Sequence, residues 1–369
     1  MQYLKEGIVL KMIAGKGCLF CMSESNRNLP IVFVHLNGKV PKYLKLNIER
    51  TIRLFPKNRV ILLVNTKQPQ LEVSGLTIYE FECNEDWYRL ENSLDHPKNF
   101  RNNFWLISIA RFIVLKDFLN SYKGKILHIE SDVILSKDFP IGKFSKIQEK
   151  LAYSIVSKER GVASILYIRD LESASKLVEH VLEESNLNPN LTDMIALRTF
   201  YEKNSEAILV LPIGPIEKHY YHDYLEKNLL RKFSEGLKTF EGVFDGNDIG
   251  VYFFGTNPFN AKGKIKIRYE VPLNYANVSK WQIFYNPKRN FIDLQTEEDG
   301  IIIPVYSIHA TSKINQIFSI RKQSRVLQYR SRESSSEKKI EFKIQIYTKL
   351  LIIKIIRKLK LLFRLMQLR

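Results

Sequence analysis

The chain has 369 residues, of which 45% are hydrophobic and 26% are charged, and its formal net charge is +18. This composition excludes a disordered polymer, and the length fits one large domain or two modest ones. Residues 321–369 hold 15 Lys and Arg but only three Asp and Glu, so most of the positive charge belongs to a C-terminal segment.

The cysteines are too few for a disulfide framework and indicate a reducing compartment. They are Cys18, Cys21 and Cys83. Cys18 and Cys21 form a CxxC pair, which suits half of a zinc site or a redox pair. No second ligand pair follows at the required spacing, so two ordinary thiols are the simpler interpretation.

The N-terminus is apolar, but Lys5, Glu6, Lys11 and Lys16 interrupt it. A secretory signal needs an uninterrupted apolar run, so residues 1–29 are interpreted as an extension before the first strand. No stretch of the sequence approaches the roughly 20 apolar residues that span a bilayer.

From residue 30, short β-rich runs alternate with longer amphipathic runs, which predicts one α/β domain over residues 30–320. Its first part is predicted to contain strands at 31–35, 60–64, 76–81 and 126–129 and helices at about 41–55 and 102–119. Its second part is predicted to contain strands at 163–168 and 208–211, a late strand that begins at 301 and ends at His309, helices at 171–184 and about 193–202, and a loop with a short helix at 242–260. Asp170 is the predicted N-cap of the helix at 171–184.

The composition changes after Arg321. Residues 321–339 are poor in large apolar side chains and are predicted to be a linker. Residues 340–369 are predicted to form a basic amphipathic helix, with Ile352, Ile355 and Leu359 on its apolar face. Such a helix suits the surface of an anionic membrane. A nucleic-acid partner is not expected, because the segment has few aromatic residues.

The strand predicted at 126–129 runs directly into Glu130-Ser131-Asp132. In an extended chain, residues i and i+2 point the same way, so the two carboxylates can face one cation. Ligands bind beyond the carboxyl ends of strands in open α/β sheets, and hard divalent ions prefer oxygen ligands. A pair of solvated acids at the end of a strand remains the alternative.

Several segments together resemble GT-A-type glycosyltransferases of the nucleotide-diphospho-sugar transferase superfamily, of the bacterial surface-polysaccharide type. The resemblance covers about residues 30–312 and rests on IVFVHLNGKVPKYLKLNIERTIRLFP, FWLISIARFIVLKDF, HIESDVIL, TDMIALRTF, FDGNDIGVYFFGTNP and IPVYSIHATSK. It implies a Rossmann-like mixed sheet flanked by helices, a nucleotide-sugar donor, and Mn²⁺ or Mg²⁺ as cofactor.

The resemblance also implies roles for individual residues. Glu130 and Asp132 match the D-x-D positions of the family and His309 matches its late histidine, so these three residues would hold the metal ion. Similar enzymes tend to have His-x-His-Ser-Lys, whereas this chain has His309-Ala310-Thr311-Ser312-Lys313. Lys313 would then meet the diphosphate of the donor. A buried, hydrogen-bonded histidine is the alternative for His309.

Two further residues fall where similar enzymes contact the nucleotide. Arg111 lies in the helix before the acidic pair, where an arginine would hold the nucleotide or its diphosphate through forked donors. A surface arginine whose stem packs on the helix is the alternative. His35 ends the first strand, where the base and ribose would lie, and it is equally well explained as the end of a core strand.

An inverting transferase needs a general base near the acceptor hydroxyl. Asp193, Asp245 and Asp248 are the candidates, and Asp245 is preferred because its Gly-rich loop allows close approach of the backbone. Asp193 is also explained as the start of a helix, and Asp245 as part of a turn. A retaining enzyme needs no such base, and the sequence does not decide between the two.

The sequence therefore predicts a metal-dependent glycosyltransferase, cytoplasmic and peripheral on the inner face of the cell membrane. It would move a sugar to a surface glycan such as capsule or lipopolysaccharide, or to another lipid-linked acceptor. The alternative is a non-catalytic basic α/β protein that binds anionic membrane or RNA. A nucleotidyltransferase is disfavoured, because no Gly-rich basic phosphate loop follows the first strand.

Overall fold

The structure is a computed structural model. It describes residues 28–68, 70–97, 100, 103–215, 226–254, 275–276, 278, 281–296, 300–311, 313, 315–319, 323–325 and 327–328. Cys18, Cys21, nearly all of the predicted extension and the whole of the predicted helix at 340–369 lie outside these residues, so those predictions remain as stated.

The N-terminal part alternates strands and helices, as its hydrophobic pattern predicts. Apolar β-branched runs form the strands, and the helices begin after residues such as Pro41 and Asn84. The elements are β1 (Ile31–His35), α1 (Lys42–Leu54), β2 (Val60–Val64), β3 (Leu76–Glu80), α2 (Glu85–Ser93), α3 (Phe104–Tyr122), β4 (Ile126–Ile129) and β5 (Val133–Leu135).

The C-terminal part continues the same layers and adds a second sheet. Asp170 caps α5 by accepting a hydrogen bond from the Ser173 amide, as predicted. The elements are α4 (Ile141–Phe144), β6 (Leu151–Ser157), β7 (Arg160–Ile168), α5 (Leu171–Leu187), α6 (Asp193–Asn204), β8 (Ile208–Val210), α7 (Lys227–Phe240), β9 (Val243–Phe244), α8 (Asp248–Phe254), β10 (Gln282–Asn286), β11 (Phe291–Gln295), β12 (Ile302–His309) and α9 (Asn315–Phe318).

The main sheet has seven strands in the order β3-β2-β1-β4-β7-β6-β8. Its strands are parallel except β7, which is antiparallel to both β4 and β6. The second sheet has the order β10-β11-β12-β5, and β9 also pairs with β12. The predicted mixed α/β sheet flanked by helices is therefore confirmed.

Alternate residues of the central strands enter two separate cores. Val32, Ile61 and Leu63 pack with α3 and α5 on one face of the main sheet. Ile31, Phe33 and Leu62 pack with α1 and the segment around Phe144 on the other face. Because both faces are covered, the parallel strands consist of continuous apolar runs, and ligand access is left to the strand ends.

The structure also contains elements that the sequence did not predict, namely α2, α4, β5, β6, α7, β9, β10, β11 and α9. Within the predicted linker, residues 323–325 and 327–328 are helical. Gln323 is buried there and accepts a hydrogen bond from the Arg50 Nε (2.9 Å). Packing against α1 therefore extends beyond residue 320.

Candidate metal centre

The acidic pair lies in a tight turn that carries the chain from one sheet to the other. β4 ends at Ile129, the Val133 amide donates to the Glu130 carbonyl oxygen (3.1 Å), and β5 begins at Val133 in the second sheet. The Glu130 amide donates to the carbonyl oxygen of Ser164 on β7 (3.0 Å). Glu130 and Asp132 thus lie at the carboxyl end of β4, the edge at which β1 and β2 also end.

The last strand brings His309 to this turn. β12 runs antiparallel to β5, with His309 opposite Val133, and the Ala310 amide donates to the Asp132 carbonyl oxygen (2.7 Å). The register therefore places the imidazole against both carboxylates. Its Nε2 lies 3.4 Å from Glu130 Oε2 and 3.3 Å from Asp132 Oδ1.

These three side chains form a cluster with the donor set of a divalent-cation site. One ligand atom from each of Glu130, Asp132 and His309 lies within 4.8 Å of the others. Neighbouring ligands of an octahedral ion bound at 2.0–2.2 Å are about 3 Å apart, close to the distances around His309 Nε2. Two carboxylate oxygens and one imidazole nitrogen suit Mn²⁺ and are acceptable to Mg²⁺. The residues therefore fit the predicted cation.

The outer oxygens of the two carboxylates are held by cations. Arg111 Nη1 donates to Glu130 Oε1, and Lys313 Nζ lies 3.3 Å from Asp132 Oδ2. The Lys313 ammonium also lies 5.4 Å from the centre of the Tyr43 ring, in cation–π geometry. Each carboxylate therefore directs one oxygen at a cation and the other at His309.

The charges of the cluster shift the pKa of every member. Burial would lower the pKa of His309, but Asp132 and Glu130 outweigh burial and raise it to about 9. Burial would raise the pKa of Glu130 and Asp132, but Arg111 and His309 lower it for Glu130, and Lys313 and His309 lower it for Asp132. Both carboxylates are consequently ionised at neutral pH, and the His309 imidazole would release its proton on binding a cation.

Asp193 and Asp245, two of the three candidate bases, both accept hydrogen bonds from other groups of the protein. Asp193, the first residue of α6, accepts from Arg111 Nη2. Asp245 accepts four backbone amides: Oδ1 from Asn247 and Ile249, and Oδ2 from Gly250 and His309, at 2.7–3.0 Å. Burial raises the pKa of both aspartates. These contacts favour positioning roles, and the role of catalytic base stays a prediction for each residue.

The nucleotide contacts predicted for Arg111 and His35 also stay predictions. The side chain of Arg111 is 10% exposed, and both of its terminal nitrogens are bonded to carboxylates. His35 ends β1 at the same edge as the cluster, and its buried Nε2 has no hydrogen-bond partner among the described residues. Burial lowers the pKa of His35, and the charge of Lys313 lowers it further.

The sequence analysis missed a polar stripe on α1 that supports the acidic turn. Buried Asn47 donates through Nδ2 to the carbonyl oxygens of Ser131 (3.1 Å) and Val133 (2.8 Å). The Tyr43 hydroxyl lies 3.3 Å from Ser131 Oγ. The signal was present, because Tyr43, Asn47 and Arg50 recur at helical spacing beside the apolar stripe of Leu44 and Ile48.

No helix within the described part of the chain is long and apolar enough to cross a membrane.

No protein-family model and no curated protein matches this chain. Among solved structures, the chain is similar to the apo form of the bifunctional glycosyltransferase WbbM, with 11% identity, a TM-score of 0.34, and coverage of 59% of this chain and 46% of that chain. It thus spans less than half of the WbbM chain.

Two smaller proteins are also similar to the chain. Mouse xyloside xylosyltransferase 1, in its apo form, matches with 8% identity, a TM-score of 0.35, and coverage of 50% of this chain and 85% of that chain. A glycosyltransferase involved in the glycosylation of the major capsid of PBCV-1 matches with 10% identity, a TM-score of 0.28, and coverage of 49% and 80%. At such scores the likenesses carry no argument about the activity of this chain.

Proposed function

We propose that the protein is a metal-dependent glycosyltransferase that moves a sugar from a nucleotide-sugar donor to a glycan or lipid-linked acceptor. The observation that carries the proposal is the cluster of Glu130, Asp132 and His309 at the carboxyl edge of the main sheet, with ligand atoms within 4.8 Å of one another. Glu130 and Asp132 come from the turn between β4 and β5 and His309 from the end of β12, and the carboxyl edge at which they meet is where α/β sheets bind their ligands.

The residues around the cluster have the chemistry that a diphosphate leaving group requires. When bound by Glu130, Asp132 and His309, a divalent cation would neutralise the charge that develops on the diphosphate. Lys313 adds an ammonium beside the cluster, and its side chain is 30% exposed, so it can reach a bound ligand. His35 lies at the end of β1, where it would face the nucleoside.

The reaction would exchange one bond at the anomeric carbon. An acceptor hydroxyl oxygen forms the new bond to this carbon, the bond from the carbon to the diphosphate oxygen breaks, and the bonding electron pair leaves with the nucleoside diphosphate. The hydroxyl proton is taken up by a base or by the leaving diphosphate, depending on whether the enzyme inverts or retains configuration.

The acceptor and the location follow from the C-terminal segment. Residues 340–369, which lie outside the described residues, would dock as a basic amphipathic helix on the anionic inner face of the cell membrane. This docking would bring the enzyme to lipid-linked acceptors for capsule or lipopolysaccharide in a bacterial cell.

A thermal-shift screen tests the proposal. The purified chain is heated with UDP-, GDP-, CMP- or dTDP-linked sugars, with and without Mn²⁺, beside the variants Asp132→Ala and Asp138→Ala. Asp138 is the matched control. It is also an aspartate paired with a cation, Arg289, but it is not a member of the cluster of Glu130, Asp132 and His309. A ligand at a hundredfold excess over its Kd stabilises the folded state by about 2.7 kcal/mol.

The proposal predicts a Mn²⁺-dependent shift with one nucleotide family, retained in Asp138→Ala and lost in Asp132→Ala. Absence of a shift from every donor in the wild-type chain, with binding to anionic vesicles intact, would instead support the non-catalytic binding protein.

A further inference from the structure

We propose that Arg111 and Asp193 are positioning residues of the metal centre: Asp193 fixes Arg111, and Arg111 fixes Glu130 so that a single oxygen of Glu130 faces the cation. The inference rests on the proposed function, because it assigns supporting residues to the metal centre proposed above. It differs from the sequence prediction, in which Arg111 contacts the donor and Asp193 is a candidate base.

The two carboxylate oxygens of Glu130 have different partners. Oε1 accepts from Arg111 Nη1, whereas Oε2 lies 3.4 Å from His309 Nε2. A carboxylate held at one oxygen by a guanidinium cannot rotate freely, so the other oxygen keeps its direction. Outer residues that orient metal ligands in this way are an established feature of metal sites.

Arg111 is itself held in place by neighbouring side chains. Its other terminal nitrogen, Nη2, donates to Asp193 Oδ2, and its Cζ lies 5.3 Å from the centre of the Phe112 ring. Arg111 lies in the middle of the long helix α3, and Asp193 is the first residue of α6. The guanidinium is therefore anchored by its own helix, α3, and by the first residue of α6. A surface arginine would lack the second anchor.

Arg111 differs from Lys313, the other cation beside the cluster, in its exposure and in its number of carboxylate partners. The side chain of Arg111 is 10% exposed and pairs with two carboxylates, whereas that of Lys313 is 30% exposed and pairs with one. The Arg111 Nε is buried and lacks a hydrogen-bond partner among the described residues, so it does not face solvent. Lys313 is thus the cation that can reorient toward a diphosphate, whereas Arg111 remains bound to its two carboxylates.

The positive charge of Arg111 is shared between the carboxylates of Glu130 and Asp193. The partly buried Glu130 and the buried Asp193 are both carboxylates on one guanidinium, so removal of either partner changes the charge balance at the other. Without the Asp193 charge, the hydrogen bond that holds Arg111 Nη2 becomes a weaker neutral one, and Arg111 turns more readily toward Glu130 Oε2. That turn would compete with a cation for the same oxygen, and the affinity for the cation would fall.

Direct binding of Mn²⁺ tests the inference without turnover. Free Mn²⁺ is counted by its EPR signal during titration of the wild-type chain, Asp193→Asn and Arg111→Lys, with no nucleotide present. We expect the Kd for Mn²⁺ to rise about 10- to 100-fold in both variants, the range found when residues that orient metal ligands are replaced. The EPR line shape of the bound ion should change as well.

Arg198→Lys is the matched control. Arg198 is also a buried arginine that bridges two carboxylates, Glu202 (3.1 Å) and Glu226 (3.0 Å), and it lies on α6 together with Asp193. Neither glutamate belongs to the ligand cluster. We expect its substitution to lower the melting temperature while the Kd for Mn²⁺ stays within twofold of the wild-type value.

The outcomes separate this inference from the proposed function. If Asp193→Asn binds Mn²⁺ like the wild-type chain while Asp132→Ala does not bind it, the positioning role is wrong and the metal centre stands. If the wild-type chain binds no Mn²⁺, both are wrong. Should Arg111→Lys fail to fold, the nearly isosteric Asp193→Asn decides alone.

Discussion

The two halves of the ligand cluster are held by the chain in different ways. Glu130 and Asp132 follow β4 within a single turn, and Tyr43 and Asn47 of α1 contact that turn from the side. His309 arrives from β12 and is held through its backbone amide by Asp245, which also binds the start of α8. The backbone of the acidic half is thus fixed by a local turn, whereas the backbone of the histidine half depends on a second loop. The free energy of unfolding should therefore be more sensitive to substitution around the histidine half.

Asp245→Ala should have the largest effect. It removes the acceptor of four backbone amides, two of them in buried and two in partly buried hydrogen bonds, and a buried amide left unsatisfied costs about 1–3 kcal/mol. We expect the free energy of unfolding to fall by about 4 kcal/mol or more, measured by urea denaturation, and Mn²⁺ binding to weaken because His309 is released.

Asp293→Ala is the control for this prediction. Asp293 is also a buried aspartate with polar partners, Arg289 and Asn286, but it belongs to the β10–β11 hairpin. It should lose stability and keep its affinity for Mn²⁺. If Asp245→Asn folds and binds Mn²⁺ normally but loses only turnover, Asp245 is the catalytic base and not a support for His309.

Gly250→Ala should rank second. A Cβ at this position would lie 1.8 Å from the His309 carbonyl oxygen, which is backbone and cannot rotate away. We expect a loss of about 3 kcal/mol in the free energy of unfolding, as for strong overpacking, together with weaker Mn²⁺ binding. Gly142→Ala is the control, because a Cβ there meets nothing within 4 Å; an equal loss in both variants would contradict the prediction.

Asn47→Ala tests the acidic half. It removes two hydrogen bonds from a buried side chain to the turn that carries Glu130 and Asp132, which should cost about 2 kcal/mol of unfolding free energy. Because the turn keeps its own backbone bonds, we expect the Kd for Mn²⁺ to rise only a few-fold by EPR titration. A loss of Mn²⁺ binding greater than that of Gly250→Ala would reverse the order of the two halves.

Asp117→Asn should have the smallest effect, and it acts away from both halves. Burial raises the pKa of Asp117 to about 6, with Asp86 adding to the shift and Lys116 opposing it. The folded chain therefore holds this proton more tightly than the unfolded chain, so ionisation disfavours the folded state above about pH 6, and the penalty disappears as the pH falls toward 4.

Because Asp117 is partly exposed, we expect Asp117→Asn to stabilise the chain by only about 1 kcal/mol at pH 7.5. The gain should shrink at pH 5, and urea denaturation at the two pH values measures it. The new side chain can still accept the hydrogen bond from Asn84 Nδ2 (2.5 Å). A gain that is the same at both pH values would mean that the charge of Asp117 is not its cause.

The central strands were predictable because both faces of the main sheet are buried. β1, β2 and β4 are uninterrupted apolar runs between turn residues, and their predicted bounds match the structure. β6 was missed because Ser154 and Ser157 interrupt its pattern although both are buried. α7 could have been predicted, since its buried residues Leu229, Phe233 and Phe240 recur at helical spacing.

The candidate site divides in the same way. Glu130 and Asp132 are two residues apart, so the sequence predicts neighbouring carboxylates, but a tight turn joins them where an extended segment was predicted. The contact of Arg111 with Asp193 joins two helices, and the hydrogen bond from the His309 amide to Asp245 joins a strand end to a loop. Such contacts depend on the packing of the whole domain, and no local pattern of residues encodes them.

The pairing of β5 with β12 also determines when, during synthesis, the ligand cluster can assemble. During synthesis, residues 130–132 leave the ribosome long before His309, whose strand completes the second sheet. A nascent chain can therefore form β1 to β4 while its two carboxylates still lack the imidazole. The cluster that could bind a metal ion would be complete only after β12 has paired with β5.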